Sequence, residues 1–207
     1  MGEAGVPKVS RGGTVPRDRV VNVRQAEQAI RSLLRAIGEN PDREGLRDTP
    51  HRVAAYYDEF FGQGEDPGDA LATVFHEAYD DVILVRDIPF TSLCEHHLLP
   101  FMGVAHVAYL PRDGRVTGLS KLARVVDGVA HRLQLQERMT RAVADVIAER
   151  LGAAGVLVVV EAEHLCMSIR GVHKPGTRTV TEAAAGLFLE DRARRQQVMS
   201  LMLGHRG

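Results

Sequence analysis

The N-terminal part of the chain carries apolar residues at helical spacing. From Val23 to Ile37 they recur every three or four positions and stop at Gly38, which predicts a first helix that ends there. Residues 48–50 (DTP) offer cap residues and a proline for a first helical turn, and apolar and aromatic residues follow on one face over 53–61. A second helix is therefore predicted, ending at the turn of residues 62–64.

Strand patterns begin after residue 81. Residues 82–90 and 103–110 are predicted strands, the second because its apolar side chains alternate between two faces. A Pro-Arg-Asp-Gly turn follows at 111–114. Residues 156–166 are predicted as a further strand, and residues 178–181 as another.

Helical spacing returns between these strands and after them. Apolar residues predict helices over 122–129 and 139–147, and a final helix over 190–203. The predicted order is ααββααββα, which places the chain in the α+β class. Residues 1–19 are rich in Gly, Pro, Arg and Lys without an apolar core, and they are predicted to form a disordered tail.

Composition narrows the classes of function. With 207 residues the chain suits one domain, alone or with an appended helical segment. A formal net charge of −1 gives no general bias toward nucleic acid or an anionic membrane, so any anion must be bound by local clusters of charge. Neither a signal peptide nor a run of about 20 apolar residues is found, and a cytoplasmic protein without membrane contact is predicted.

Both cysteines of the chain lie in histidine-containing segments, at 92–97 (SLCEHH) and 161–166 (EAEHLC). Thiolate and imidazole are ligands that Zn(II) prefers, and Cys94 and His97 lie close enough in sequence to chelate one ion, with Cys166 as a third ligand. Three protein ligands leave a fourth position open, which is typical of catalytic zinc. The alternatives are cysteines that merely pack in the core, or a disulfide, which a reducing cytosol disfavours.

The second segment also predicts a base beside the metal. Side chains two positions apart on a strand share a face, so His164 and Cys166 are predicted to point the same way as Val158 and Val160. The alternative is a core histidine bonded to a backbone carbonyl. The histidines without a cysteine neighbour are interpreted as surface or packing residues: His51, His76, His106, His131, His173 and His205.

Cationic residues predict a phosphate site. Ser120 is placed at a helix N-cap, and Lys121 and Arg124, three positions apart, share one face of the predicted helix. Exposed helix N–H groups attract anions, and Arg170, four residues after Cys166, adds a guanidinium that fits phosphate. The alternative is a solvated basic edge of the helix.

A carboxylate completes the candidate residues. Glu137 stands in the opening turn of the predicted helix over 139–147. It could accept N–H donors from a purine edge, or it could simply complement the helix dipole. The pattern alone leaves both interpretations open.

Several separate segments, in order, resemble GTP cyclohydrolase I. They are 92–97 (SLCEHH), 117–124 (TGLSKLAR), 134–138 (QLQER) and 161–166 (EAEHLC), and 48–53 (DTPHRV) and 186–188 (GLF) fit as well. The resemblance covers about Val23 to Leu203. It departs at 133–136 (LQLQ), where many members have a proline, and at 182–185 (EAAA), a stretch often rich in Ser and Thr.

The resemblance implies a tunnelling fold. In this fold a ββααββ unit with N-terminal helices joins edge to edge with other subunits into a β-barrel toroid. Family members are homo-oligomers, typically decamers, with active sites at the subunit interfaces. The chain would then divide into a tail (1–19), a helical segment (20–80) and a tunnelling-fold catalytic domain (81–207).

The resemblance also implies the chemistry. Cys94, His97 and Cys166 would hold Zn(II), which activates water for attack on carbon 8 of the guanine ring of GTP. His164 would protonate the departing ring nitrogen as general acid, and His96 would orient water or relay protons. The products would be formate and 7,8-dihydroneopterin triphosphate, in the first step of tetrahydrofolate and pterin biosynthesis.

The remaining roles concern the substrate. Ser120 would handle a proton during the ribose rearrangement, and Glu137, helped by Gln136, would grip the guanine edge. The triphosphate would be held by Lys121, Arg124, Arg170 and Arg52.

Rival functions are distinguishable. A zinc nucleobase deaminase needs H-x-E and P-C-x-x-C motifs, which two cysteines so far apart exclude. A nitrile reductase of the queuosine pathway shares the fold without the metal, so bound zinc would separate the two. The non-enzymatic alternative is an inactive pterin-binding or scaffold protein, which would be expected to have lost one of the residues named above.

Overall fold

The computed structural model describes residues 20–62 and 66–204. The predicted tail (1–19), His205 and part of the predicted turn at 62–64 lie outside the described residues. The helices are α1 (Val23–Ala36), α2 (Thr49–Gly62), α3 (Leu119–Ala130), α4 (Gln136–Leu151), α5 (Leu165–Ser168), α6 (Leu187–Glu190) and α7 (Arg192–Leu203), with a 3-10 turn at Asp69–Leu71. The strands are β1 (Phe75–His76), β2 (Ile83–Cys94), β3 (Pro100–Leu110), β4 (Arg115–Val116), β5 (Leu133–Gln134), β6 (Gly155–His164) and β7 (Arg178–Gly186).

The longer elements follow the predicted order ααββααββα, which confirms a mixed α and β architecture. Helix α1 begins at an N-cap, where the Asn22 side chain accepts the N–H of Gln25 at 2.9 Å, and it ends before Gly38, whose φ is +87°. None of the described helices is both long and apolar enough to cross a membrane.

A five-stranded sheet forms the centre of the molecule, in the order β5-β2-β3-β6-β7. The four long strands are antiparallel, and β5 pairs in parallel with the end of β2. The β3–β6 ladder runs without interruption from the pair Phe101 and His164 to the pair Leu110 and Gly155. Strands β1 and β4 form a separate two-stranded sheet.

Both faces of the sheet are covered, one by a large apolar core and the other by a smaller one. Alternate residues of β6, including Val156, Val158 and Val160, enter the main core beneath α3 and α4. Their neighbours Leu157 and Val159 face a smaller cluster that α6 and α7 cover. The unbroken apolar run of β6 therefore fits a strand in the middle of the sheet, where neither face is left to solvent.

Strand β2 contains a β-bulge that the sequence pattern does not reveal. Val85 pairs with Val107 and Ile88 pairs with Ala105, so two residues of β2 stand opposite one residue of β3. Within the bulge Asp87 has φ +55°, and its N–H donates to Nδ1 of the fully buried His106 at 3.1 Å. After the bulge it is the even-numbered residues of β2 that face the main core.

The predicted strand over 156–166 is wrong at its C-terminal end. Strand β6 stops at His164, and Cys166 belongs to the short helix α5. The physical reason is the end of the ladder, because Phe101 is the last residue of β3 that pairs with β6. The chain then turns helically, and the N–H of Ile169 donates to the carbonyl of Leu165 at 3.0 Å. His164 and Cys166 therefore do not share a strand face.

Candidate metal centre and active site

Three candidate metal ligands converge at one end of the sheet. Cys94 ends β2, His97 lies in the turn before β3, and Cys166 lies in α5. One ligand atom of each lies within 4.8 Å of the other two, and Cys94 Sγ is 3.7 Å from His97 Nδ1. The turn is closed by the Cys94 carbonyl, which accepts the N–H of Leu98 at 2.9 Å.

These distances suit a tetrahedral zinc ion. Zinc bonds of about 2.3 Å to sulfur and 2.0–2.1 Å to nitrogen place neighbouring ligand atoms about 3.6–3.8 Å apart. Burial and the nearby Cys94 raise the pKa of the Cys166 thiol, whereas Arg170 lowers it. A bound cation would favour both thiolates, so the donor set and its spacing fit Zn(II).

The loop that carries His97 is tied to α4. Arg138 donates to the Glu95 carboxylate, and its guanidinium also donates to the Leu133 carbonyl at 3.2 Å. The Glu95 N–H donates to the Gln134 carbonyl at 3.1 Å. Sequence reasoning missed Arg138 and Glu95, since a charged pair 43 positions apart leaves no local pattern.

His164 is held rigidly beside the metal ligands. Its ring stacks on Phe101 with centroids 4.6 Å apart and planes 2° apart, and Nε2 lies 2.8 Å from Gln136 Oε1. Burial lowers the pKa of His164, and the negative charge of Glu137 partly opposes that by raising it. The side chain is thus a half-buried imidazole whose neutral form is favoured by its surroundings.

Gln136 determines which nitrogen of His164 carries hydrogen. The Gln136 amide nitrogen lies 3.0 Å from the carbonyls of Val160 and Thr179, so it donates there and its oxygen is left as an acceptor. Neutral His164 must then donate from Nε2, which leaves Nδ1 for proton exchange. Sequence analysis predicts a guanine contact for Gln136, whereas the structure buries this amide and engages it inside the protein.

The predicted N-cap role of Ser120 is wrong. Helix α3 begins at Leu119 after Gly118, whose backbone is extended and whose carbonyl accepts the N–H of Lys121 at 2.8 Å. Ser120 therefore stands one position inside the helix, and its side chain is exposed. Leu122 and Val125 are fully buried beneath α3, which leaves Lys121 and Arg124 away from the core.

The remaining residues predicted for the site are exposed. Arg170 is exposed and close enough to Cys166 to influence its thiol, and exposed Glu137 acts on His164 from the first turn of α4. His96 is exposed beside His97, with ring centroids 6.2 Å apart. Arg52 lies on α2, and its recorded partner in the described part of the chain is Asp48 at 3.5 Å.

Comparison with known proteins gives one consistent answer. A sequence model of GTP cyclohydrolase I matches residues 26–203. The chain is 58% identical over 183 residues to GTP cyclohydrolase 1 of Streptococcus pyogenes serotype M18, which covers 88% of this chain and 94% of that protein. It is 60% identical over 185 residues to GTP cyclohydrolase 1 of Geobacillus sp. (strain WCH70), which covers 89% and 98%. The chain belongs to the GTP cyclohydrolase I family.

A more distant similarity is found among solved structures. The archaeosine synthase QueF-Like, solved in its apo form, is 16% identical and superposes with a TM-score of 0.41. The match covers 52% of this chain and 96% of that one. The arrangement of α and β elements described above is consistent with the tunnelling fold of the GTP cyclohydrolase I family.

The proximity of the two thiols leads to a prediction about metal removal. Because the ligand atoms of Cys94 and Cys166 lie within 4.8 Å, the sulfurs of metal-free protein need little movement to reach the about 2.05 Å of a disulfide, provided that the two Cα atoms come within about 7 Å. We expect chelation in air to yield inactive protein with one Cys94–Cys166 disulfide, and reductant plus zinc to restore activity.

Thiol titration and peptide mapping measure this outcome, with chelation in the absence of oxygen as the control. Two free thiols that persist in aerated, metal-free protein would contradict it. A disulfide between two chains would do the same, because the proposed pair lies within one chain.

Proposed function

We propose that this chain converts GTP into 7,8-dihydroneopterin triphosphate and formate. This is the reaction of GTP cyclohydrolase I, the first step of folate and pterin biosynthesis, and family membership makes the chain a hydrolase. The proposal is carried by the Cys94, His97 and Cys166 group, which lies beside His164 in a chain 60% identical to a named GTP cyclohydrolase 1.

The metal of this enzyme is Zn(II), with Cys94, His97 and Cys166 as its ligands. Two thiolates and one imidazole suit zinc and leave one position for a non-protein ligand. A zinc ion held by these residues would supply Lewis-acid activation of a water for the opening of the guanine ring.

His164 is the general acid for ring opening. Its Nε2 hydrogen is committed to Gln136, so Nδ1 must first take up a proton from solvent, and the imidazolium then gives that proton from Nδ1 to the departing ring nitrogen and returns to the neutral form. The stack on Phe101 holds the ring plane during that transfer. His96, exposed beside His97, orients water or relays protons.

The substrate is bound by groups of opposite charge. Glu137 accepts N–H donors from the guanine edge, and Gln136 contributes by holding His164. Ser120 handles a proton during rearrangement of the ribose. The triphosphate is held by cations whose long side chains can follow its three phosphates: the half-buried Lys121 and the exposed Arg124, Arg170 and Arg52.

The enzyme assembles into a homo-oligomer of the decameric toroid type, with active sites between subunits. An edge strand and an apolar surface support this. Strand β7 is at the edge of the five-stranded sheet, and long edge strands are normally paired or covered. Leu98, Ile169 and Val172, near the metal ligands in sequence, are 51%, 60% and 62% exposed. Residues 20–80 form the helical segment and 81–207 the catalytic domain.

Incubation of purified protein with GTP tests the function. Formate should be released, together with a product that oxidation converts into a fluorescent pterin. If the protein binds zinc and GTP and yields neither product, it is an inactive pterin-binding protein on the same fold.

The first substitution concerns the general acid. We expect His164→Ala to retain zinc and GTP binding and to lose product formation by about 10²–10⁴-fold, the range typical of acid–base catalysis. His76→Ala, which removes an exposed histidine on β1, serves as the control. Full activity of His164→Ala would exclude the assignment, and loss of zinc would make His164 a fourth ligand.

The second set of substitutions separates phosphate binding from base binding. Lys121→Ala and Arg170→Ala should weaken binding of GTP far more than binding of guanosine, and added salt should weaken GTP binding further. Glu137→Ala should weaken both guanine compounds and leave inhibition by inorganic triphosphate intact. Arg112→Ala, another exposed cation, is the matched control. Equal losses for GTP and guanosine in Lys121→Ala would exclude its phosphate role.

A further inference from the structure

The segment that joins α5 to β7 carries one residue of the proposed site, directly follows the helix that carries another, and has little apolar support. Cys166 lies in α5, and Arg170 follows it at the start of residues 169–177, all of which are exposed. Its larger apolar side chains, Ile169 and Val172, are 60% and 62% exposed. Burial of apolar surface therefore does not hold this segment in place.

One carboxylate oxygen closes the segment. Oε1 of Glu163 accepts the Ser168 hydroxyl at 2.6 Å and the Gly176 N–H at 2.9 Å. Ser168 is the last residue of α5, and Gly176 lies two positions before β7, so a single acceptor joins the two ends of the segment. Bonds to charged acceptors are about twice as strong as neutral ones.

The remaining hydrogen bonds of residues 169–177 are local. His173 N–H donates to the Arg170 carbonyl at 3.3 Å, and Lys174 N–H donates to the Met167 carbonyl at 2.9 Å. These bonds shape turns, and their acceptors lie within residues 169–177 or in the short helix α5, not in the sheet. Among the described residues, the bond from Gly176 to Glu163 is the one recorded tie from residues 169–177 to the sheet.

Glu163 is well suited to anchor the segment. It belongs to β6 and stands opposite Met102 on one side and Arg178 on the other, so its backbone is fixed by two ladders. The Ser168 hydroxyl, the Gly176 N–H and the charge of Arg178 lower the pKa of Glu163, and the side chain is therefore ionised at neutral pH.

We infer that Glu163 is a positioning residue, which holds Cys166 for the metal and Arg170 for the triphosphate by closing the segment between α5 and β7. The inference rests on the proposed function for the roles of Cys166 and Arg170. The closing bonds themselves are independent of substrate, and this allows the two proposals to be tested separately.

The test compares Glu163→Ala with Glu163→Gln in the full-length protein. The alanine variant loses both bonds, whereas the amide oxygen of glutamine can accept the same two hydrogens. In Glu163→Ala we expect hydrogen exchange of the Gly176 amide to accelerate at least about tenfold and zinc affinity, measured by competition with a chromophoric chelator, to fall about 10–100-fold, the usual cost of losing a group that supports a ligand. The KM for GTP should rise more than kcat falls.

Glu163→Gln should stay within about threefold of the parent protein in all three measurements, because the geometry of the acceptor is kept. Glu182→Ala is the matched control, since Glu182 lies on the same face of the sheet and pairs with Arg195 away from this segment. Ser168→Ala removes one of the two bonds and should give an intermediate loss of zinc affinity. It decides the question if Glu163→Ala does not fold.

Unchanged zinc affinity and Gly176 exchange in Glu163→Ala would overturn the inference. Equal losses in Glu163→Ala and Glu182→Ala would overturn it as well, because a general weakening of the sheet would then explain both. Failure of the parent protein to convert GTP, with zinc affinity still dependent on Glu163, would reject the proposed function and retain the positioning role.

Discussion

The antiparallel pairing of β3 with β6 is the constraint on which the candidate site depends. The ladder runs from Leu110 and Gly155 to Phe101 and His164, so its last pair defines one end of the sheet. The hairpin of β2 and β3 brings Cys94 and His97 to that end, and the chain beyond β6 brings Cys166. Residues far apart in sequence therefore meet because one register fixes where two strands stop.

The same pairing defines the surroundings of the proposed acid. His164 lies directly opposite Phe101, and the two rings stack because neighbouring side chains on one face of an antiparallel pair lie close together. Gln136 then approaches from the first turn of α4 and bonds to the ring edge. The proton-handling group is half-buried and held by a ring stack and a hydrogen bond, whereas three of the proposed phosphate ligands, Arg52, Arg124 and Arg170, are exposed. This arrangement suits a reaction in which a proton must move at one defined atom while the highly charged triphosphate only has to be held in place.

The spacing of apolar residues, together with the glycine and proline residues that end elements, predicted the longer helices and strands and their order. Apolar spacing is a local property, so α1, α3 and α4 could be read from the residues that they contain. The pairing of cysteine with histidine likewise indicated the chemistry of the metal centre, since few other residue types make such ligands. Resemblance to a family then supplied roles for residues whose types alone left alternatives open.

Features that depend on distant partners could not be predicted in this way. The end of β6 depends on the last residue of β3 that can pair with it, which is not visible in the sequence of β6 itself. The sequence therefore predicts Cys166 on a strand, whereas it belongs to a helical turn. Gly118 rather than Ser120 precedes the first residue of α3, because backbone geometry and not side-chain type decided the start. The family resemblance implies a guanine contact for Gln136, and only the fold shows that its amide meets His164 and the backbone of β6 and β7.

The bulge in β2 accommodates one extra residue without moving the metal ligands. Ile83 and Val85 face the main core before it, and Ile88, Phe90 and Cys94 face the same core after it, so the extra residue changes the core-facing positions from odd to even numbers without turning the strand over. Loss of a single residue at positions 86–87 would remove the bulge and restore plain alternation, and the residues from Ile88 to Cys94 would keep both their partners on β3 and their face of the sheet. A one-residue deletion there would thus leave the metal ligands in place, and its cost would fall on the buried His106, whose Nδ1 accepts the Asp87 N–H within the bulge.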